Sequence, residues 1–155
     1  MQPVWRKVLT MSKAPTDDVI QAWIQLHRAH RQLLDKVETT LKNNGLPSLD
    51  WYDVLLELQR EKNRGLRQYE IGEKVLLNKH NLSRLLDRLE QGGLVGRHAC
   101  AEDGRGNLIK ITTDGIKLLK QMWPVYSQVI QESFSARLDP KDTVELSRIL
   151  AKLFV

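Results

Sequence analysis

The chain has 155 residues, 41% of them apolar, enough for one globular domain or one domain with helical extensions, and too many for general disorder. No apolar run approaches the roughly 18 residues of a membrane span. The stretch MQPVWRKVLTMSKAP lacks the apolar region of a secretory signal, and one cysteine excludes an internal disulfide and Cys-rich zinc motifs, so a cytoplasmic protein is expected. The formal net charge of +5 is unevenly placed: residues 1–59 carry 7 Lys/Arg against 7 Asp/Glu, residues 60–110 carry 11 against 7, and residues 111–155 carry 6 against 5. A basic middle third suits a polyanion, whose condensed counterions are released on contact, and it also fits a solvated basic face.

From residue 16 to about 44, Ile20, Trp23, Ile24, His27, His30, Leu33, Leu34, Val37 and Leu41 recur at three- and four-residue steps, which predicts an amphipathic helix. Thr16 or Asp17 supplies its cap and Asn44-Gly45 its stop. So long a helix needs a partner for its stripe, from this chain or a second copy. Leu46-Pro47-Ser48 interrupts the chain, and Ser48 or Asp50 caps a helix over DWYDVLLELQRE, ended by Asn63-Arg64-Gly65. A short helix over about 67–75 follows, then a turn at Leu76-Leu77-Asn78 and a helix over about 79–91, closed by Gly92-Gly93.

VGRHA (95–99) and LIKI (108–111) read as strands, joined by a loop over 100–107 that is longer than a tight hairpin needs. Thr112 or Thr113 caps a helix to about 136 with Pro124 inside it, which should kink the helix or leave a carbonyl near Lys120 unsatisfied. Asp139-Pro140 supplies the cap and first-turn proline of a last helix ending near Phe154. The expected chain is mainly α with one small β-hairpin. Residues 1–15 form an N-terminal extension, residues 16–45 and 113–155 a helical dimerisation region, and residues 46–112 the central module.

At about 100° per residue, Leu82, Leu85, Leu86 and Leu89 fall on one side of the helix at 79–91. His80, Ser83, Arg84, Asp87 and Gln91 lie opposite, flanked by Asn81 and Arg88. Arginine suits guanine, asparagine suits adenine, and a helix fits the major groove, so this face can read base edges. The same pattern also describes an ordinary amphipathic surface helix. Ile71 and Val75 of the preceding helix point inward, with Gly72 between them allowing the close approach of a helix-turn-helix.

The stretch IGEKVLLNKHNLSRLLDRLEQGGLVGRHACAEDGRGNLIKITTDG resembles the winged helix-turn-helix of MarR-type transcriptional regulators. The likeness rests on RLLDRLEQGGLVGR, on Asp-Gly-Arg in the loop, on ITTDG where the family usually has Leu-Thr-x-x-Gly, and on LPSLDWYDVLLEL upstream. Together these motifs cover about residues 46–116, and the flanking helices match the family's dimerisation region in placement.

The resemblance implies a nucleoid-associated homodimer that binds a pseudo-palindromic operator on double-stranded DNA, usually as a repressor. Asn78, Lys79, His80, Asn81, Ser83, Arg84 and Arg88 would contact the DNA. Arg105 would be the wing arginine, oriented by Asp103. Many members carry Asp-Arg-Arg in the wing; Asp103-Gly104-Arg105 has one arginine, which implies weaker minor-groove anchoring.

Members often release DNA when a small aromatic or phenolic anion binds between the dimer helices and the DNA-binding lobe. Trp23, His27, Trp51 and Asp53 are the candidates to line such a pocket. The plainer reading makes His27 and His30 interfacial histidines and Trp51 a core residue. A urate-responsive branch carries a Trp in an N-terminal extension, an Asp near the WYDVL motif and an Arg on the first wing strand; Trp5, Asp53 and Arg97 correspond, and a purine-like ligand is worth testing.

Two alternatives stand beside this reading: oxidant sensing through Cys100, near His98 and Arg97, and a winged helix used only for protein–protein contact. The second fits poorly with a face of polar residues rather than apolar anchors. No Gly-rich phosphate loop, nucleophile elbow or metal-ligand spacing is present, so neither an enzyme nor a cofactor or metal is expected.

Overall fold

The first stripe folds as a single helix, α1 (Asp17–Asn43), in the computed structural model, which describes residues 14–75, 77, 79–99 and 106–154. Thr16 Oγ1 caps it, accepting from Val19 N at 3.4 Å. The chain divides into two units, 1–35 and 36–155. In the first, none of the described residues is buried. Val19, Ile20, Trp23 and Leu26 are exposed, and the Trp23 and His27 rings lie 4.4 Å apart.

The second unit has one core. Val37 and Leu41 from the end of α1 join Tyr52, Val54, Leu55 and Leu58 of α2 (Leu49–Arg60) and Ile71 of α3 (Gln68–Val75). Leu82, Leu85, Leu86 and Leu89 of α4 (Lys79–Gln91) close it from another side. A hairpin of β1 (Val95–Ala99) and β2 (Asn107–Ile111) adds Val95 and Ile109, and α5 (Thr113–Ser133) adds Leu119, Met122 and Val129. A last helix, α6 (Pro140–Ala151), buries none of its residues. Among the described residues no polar or charged side chain is buried, so burial of apolar area holds this core together.

The strands pair antiparallel, with Val95 opposite Ile111 and Arg97 opposite Ile109. Leu66, just ahead of α3, adds a third element. It donates to Ile109 O at 2.9 Å and accepts from Ile109 N at 2.8 Å, so the hairpin is stitched to the helices. Beyond the hairpin, Thr112 accepts from Gly115 N at 3.1 Å as the cap of α5 and donates its hydroxyl to Gly93 O at 2.6 Å. The first turn of α5 therefore lies on the end of α4. Gly115 is required there, because a β-carbon would stand 2.3 Å from Leu94 O.

Several local expectations change. Ser48 takes the N-cap position of α2, but its side chain makes no cap bond; Glu38 of α1 reaches Leu49 N instead, at 3.0 Å. A carboxylate from a packed neighbour thus satisfies one of the orphan donors of the first turn. Helix α5 stops at Ser133, followed by a 3₁₀ turn at Ser135–Arg137, where a single helix to about 136 is expected from the pattern. A final turn often tightens in this way. Helix α6 likewise ends at Ala151, and Leu153 and Phe154 make only i→i−3 bonds. Asp139 caps α6 as the sequence indicates, in a reciprocal box with Asp142.

Candidate nucleic-acid interface

Helices α3 and α4 form the turn-linked pair. A β-carbon at Gly72 would lie 3.3 Å from Leu82 Cδ2, so the absence of a side chain there allows this close packing. The start of α3 is held by Glu70, whose carboxylate accepts from Arg67 N at 2.7 Å and from Arg64 at 3.0 Å. The backbone bond from Arg67 is the main reason the Glu70 carboxyl lies below its usual range.

With its four leucines buried, α4 can turn only one face outward. Lys79, His80, Asn81, Arg84, Asp87, Arg88, Glu90 and Gln91 are exposed and Ser83 is half-buried. Among the described residues Lys79, Arg84 and Arg88 form no ion pair, which leaves three cations for an external anion. The two acids are occupied: Arg97 of β1 lies 2.8 Å from Asp87 and 3.2 Å from Glu90. Of the remaining DNA-contact candidates, Asn78, Asp103 and Arg105 lie outside the described residues, as do Trp5 of the ligand set and Cys100.

The ligand candidates fall in different places. Trp23 and His27 belong to the first unit and form the ring pair described above. Trp51 and Asp53 belong to the second. Trp51 is half-buried and lines a cavity of about 240 Å³ with Asp50, Asn81, Arg84 and Arg88, so it stands beside the outward face of α4. Asp53 is half-buried and its carboxyl is pushed up to about 6, chiefly by burial and then by the negative charges of Asp50, Glu57 and Glu38. Its charge, after burial itself, also raises the phenols of Tyr52 and Tyr126.

Two features escape the sequence reading. Tyr52, Trp123 and Tyr126 form an aromatic cluster with centroids 5.3 to 6.3 Å apart. A cavity of about 800 Å³ opens between α3, the start of α4 and the hairpin, lined in part by Tyr69, Leu77, Lys79, Arg97 and Asn107. Both draw on elements far apart in sequence, and no local pattern signals them.

A helix-turn-helix whose second helix is anchored by leucines and exposes cations, followed by a two-stranded wing, is the winged form of the DNA-binding module. The chain belongs to the MarR family of transcriptional regulators. Residues 44–106 match the MarR family model. MhqR, an HTH-type transcriptional regulator of Bacillus subtilis (strain 168), is 32% identical over 120 residues, covering 77% of this chain and 81% of MhqR.

Solved structures agree. AbsC, a MarR family regulator from Streptomyces coelicolor, is 26% identical with a TM-score of 0.81, over 92% of this chain and 95% of its own. Sco3205 from the same organism, solved in complex with DNA, shares the fold with a TM-score of 0.85 at 24% identity, over 93% and 90% of the two chains. No described helix is long and apolar enough to cross a membrane.

Proposed function

We propose that the protein is a repressor that binds a pseudo-palindromic operator as a homodimer and is released by a small aromatic or phenolic ligand. In this reading residues 46–112 bind DNA and residues 16–45 and 113–155 hold the two copies together. Each α4 enters a major groove through Lys79, His80, Asn81, Ser83, Arg84 and Arg88, aided by Asn78, and each wing reaches a minor groove through Arg105, oriented by Asp103. The carrying observation is the two-faced α4, four leucines fixed in the core and three cations turned out.

A second copy is supported by apolar side chains that a single chain leaves uncovered. In the first unit these are Val19, Ile20, Trp23 and Leu26; on α6 and its end they are Val144, Ile149, Leu153 and Phe154. Such surface on a folded protein marks an interface. Release by a ligand is supported by the place of Trp51, because a molecule held there would engage the same Arg84 and Arg88 that DNA needs. DNA binding by BpsR of Bordetella bronchiseptica, which shares the fold, is regulated by 6-hydroxynicotinic acid, a hydroxylated aromatic acid.

The test is binding to duplexes selected from a random-sequence pool, across a salt series. Affinity should fall steeply as salt rises, because phosphate contacts release counterions. Arg84→Ala should cost about 1–3 kcal/mol and relax sequence preference, while Arg105→Ala should weaken all duplexes alike. Binding indifferent to salt, or selection of no duplex, would overturn the reading. A thermal-shift series of phenolic acids and purines tests the effector; no response to any member would remove that part alone.

A further inference from the structure

The outward half of α4 carries two acids, Asp87 and Glu90, and carboxylates on a helix that faces phosphates oppose binding. One residue from outside the helix holds both. Asp87 and Glu90 stand three positions apart and so share a side of α4. The Arg97 guanidinium spans them, with Nη2 2.8 Å from Asp87 Oδ1 and Nη1 3.2 Å from Glu90 Oε2. Its side chain is 29% exposed, against 54% and 43% for the two carboxylates, so the fork is turned toward the helix rather than out to solvent.

The other end of this link is equally fixed. Arg97 sits in the middle of β1 opposite Ile109, which is 2% exposed and exchanges both backbone bonds with Leu66 at the entry to α3. A continuous path therefore runs from the second half of α4, through Arg97 and the hairpin, to the start of α3. We propose that Arg97 is a positioning residue for DNA binding, which sets the angle between α4 and the wing and neutralises Asp87 and Glu90 without touching DNA itself. A guanidinium suits this task because its planar fork holds two carboxylates at once, whereas an ammonium offers a single point of charge. This assignment rests on α4 being the DNA-reading helix and gives Arg97 a part distinct from effector binding.

Partly exposed ion pairs add little to folding stability, so the effect belongs in DNA affinity rather than in unfolding. The experiment is a double-mutant cycle read by fluorescence anisotropy on the tightest duplex selected by the unaltered protein. Arg97→Gln should weaken binding about tenfold in the otherwise native chain, and less than about twofold when Asp87→Asn and Glu90→Gln are already present. Arg97→Lys should recover part of the loss. The melting temperature of each variant should stay within about 4 °C of the parent.

An equal loss in both backgrounds would overturn the proposal, since Arg97 would then act on DNA directly. No loss in either background, or a change confined to melting temperature, would overturn it as well. If Arg97→Gln does not fold, the same cycle is run with Arg97→Lys and read by the same rule. Selection of no duplex by the unaltered protein would instead bring down the DNA-binding reading, and this assignment with it.

Discussion

Replacing Asp53 by asparagine should make the protein more stable at neutral pH and leave it unchanged in acid. Asp50, Asp53 and Glu57 lie along one side of α2, and Glu38 of α1 caps that helix nearby. Burial and these three charges lift the Asp53 carboxyl from 3.8 to about 6. The folded state therefore holds this proton more tightly than the unfolded chain does. Its contribution to stability is complete below 3.8 and is lost as pH rises through 6, beyond which the ionised group is a constant penalty.

A tenfold change in proton affinity is worth about 1.4 kcal/mol, so the full shift corresponds to about 3 kcal/mol. Asp53 is only about half-buried, and screening by water reduces the expected penalty to about 1–2 kcal/mol. For a chain of this size Asp53→Asn should raise the melting temperature by roughly 3–6 °C at pH 7.5. The assay is thermal unfolding of both proteins between pH 3.5 and 8. Their curves should meet near pH 4, draw apart between pH 4 and 6, and keep a constant gap above pH 6. A gap of one size across the whole pH series, or a less stable asparagine variant at pH 7.5, would refute the argument.

Three further outcomes are expected. Gly115→Ala places a methyl 2.3 Å from Leu94 O, against backbone that cannot yield cheaply, and should cost about 3 kcal/mol or more by urea unfolding. Glu38→Ala removes the side chain that accepts from Leu49 N and should cost about 1 kcal/mol, while Ser48→Ala, at a position without a side-chain cap bond, should cost much less. Ile149→Glu with Leu153→Glu puts charge on exposed apolar positions of α6 and its end, and sedimentation should show a shift from dimer to monomer with the DNA-binding module still folded.

How legible each element is follows from where its determinants lie. The bounds of α4 can be read to the residue, because four leucines at three- and four-residue steps and the Gly-Gly stop are all local. The burial of Leu82, Leu85, Leu86 and Leu89 and the exposure of Arg84 and Arg88 follow from the same periodicity. The cap of α2 could not be read in this way. Ser48 is a residue type preferred at caps, but its side chain makes no cap bond, and Glu38, eleven residues from the amide it serves, holds Leu49 N instead.

Leu66 is invisible for a related reason: a one-residue bridge to Ile109 has no alternation to detect. The Arg97 fork, the Tyr52–Trp123–Tyr126 cluster and the elevated carboxyl of Asp53 each depend on side chains brought together from two or more elements. Periodicity shows which side of an element faces in, but it does not show what that side meets.

This division bears on how the module can change affinity without changing its fold. The leucines of α4 fix its rotation about its own axis, since a turn by one residue would bring charge into a core with no buried polar or charged residue among the described residues. They constrain its tilt less strictly, because apolar contacts are non-directional. Directional contacts hold the end of α4: Asp87 and Glu90 pair with Arg97, and just beyond the helix Gly93 O accepts from Thr112. In the proposed reading, rotation decides which residues face DNA, and tilt decides whether they reach it. A ligand or substitution that disturbs the hairpin or the first turn of α5 would alter reach alone, leaving the set of outward residues and most of the folding energy as they were.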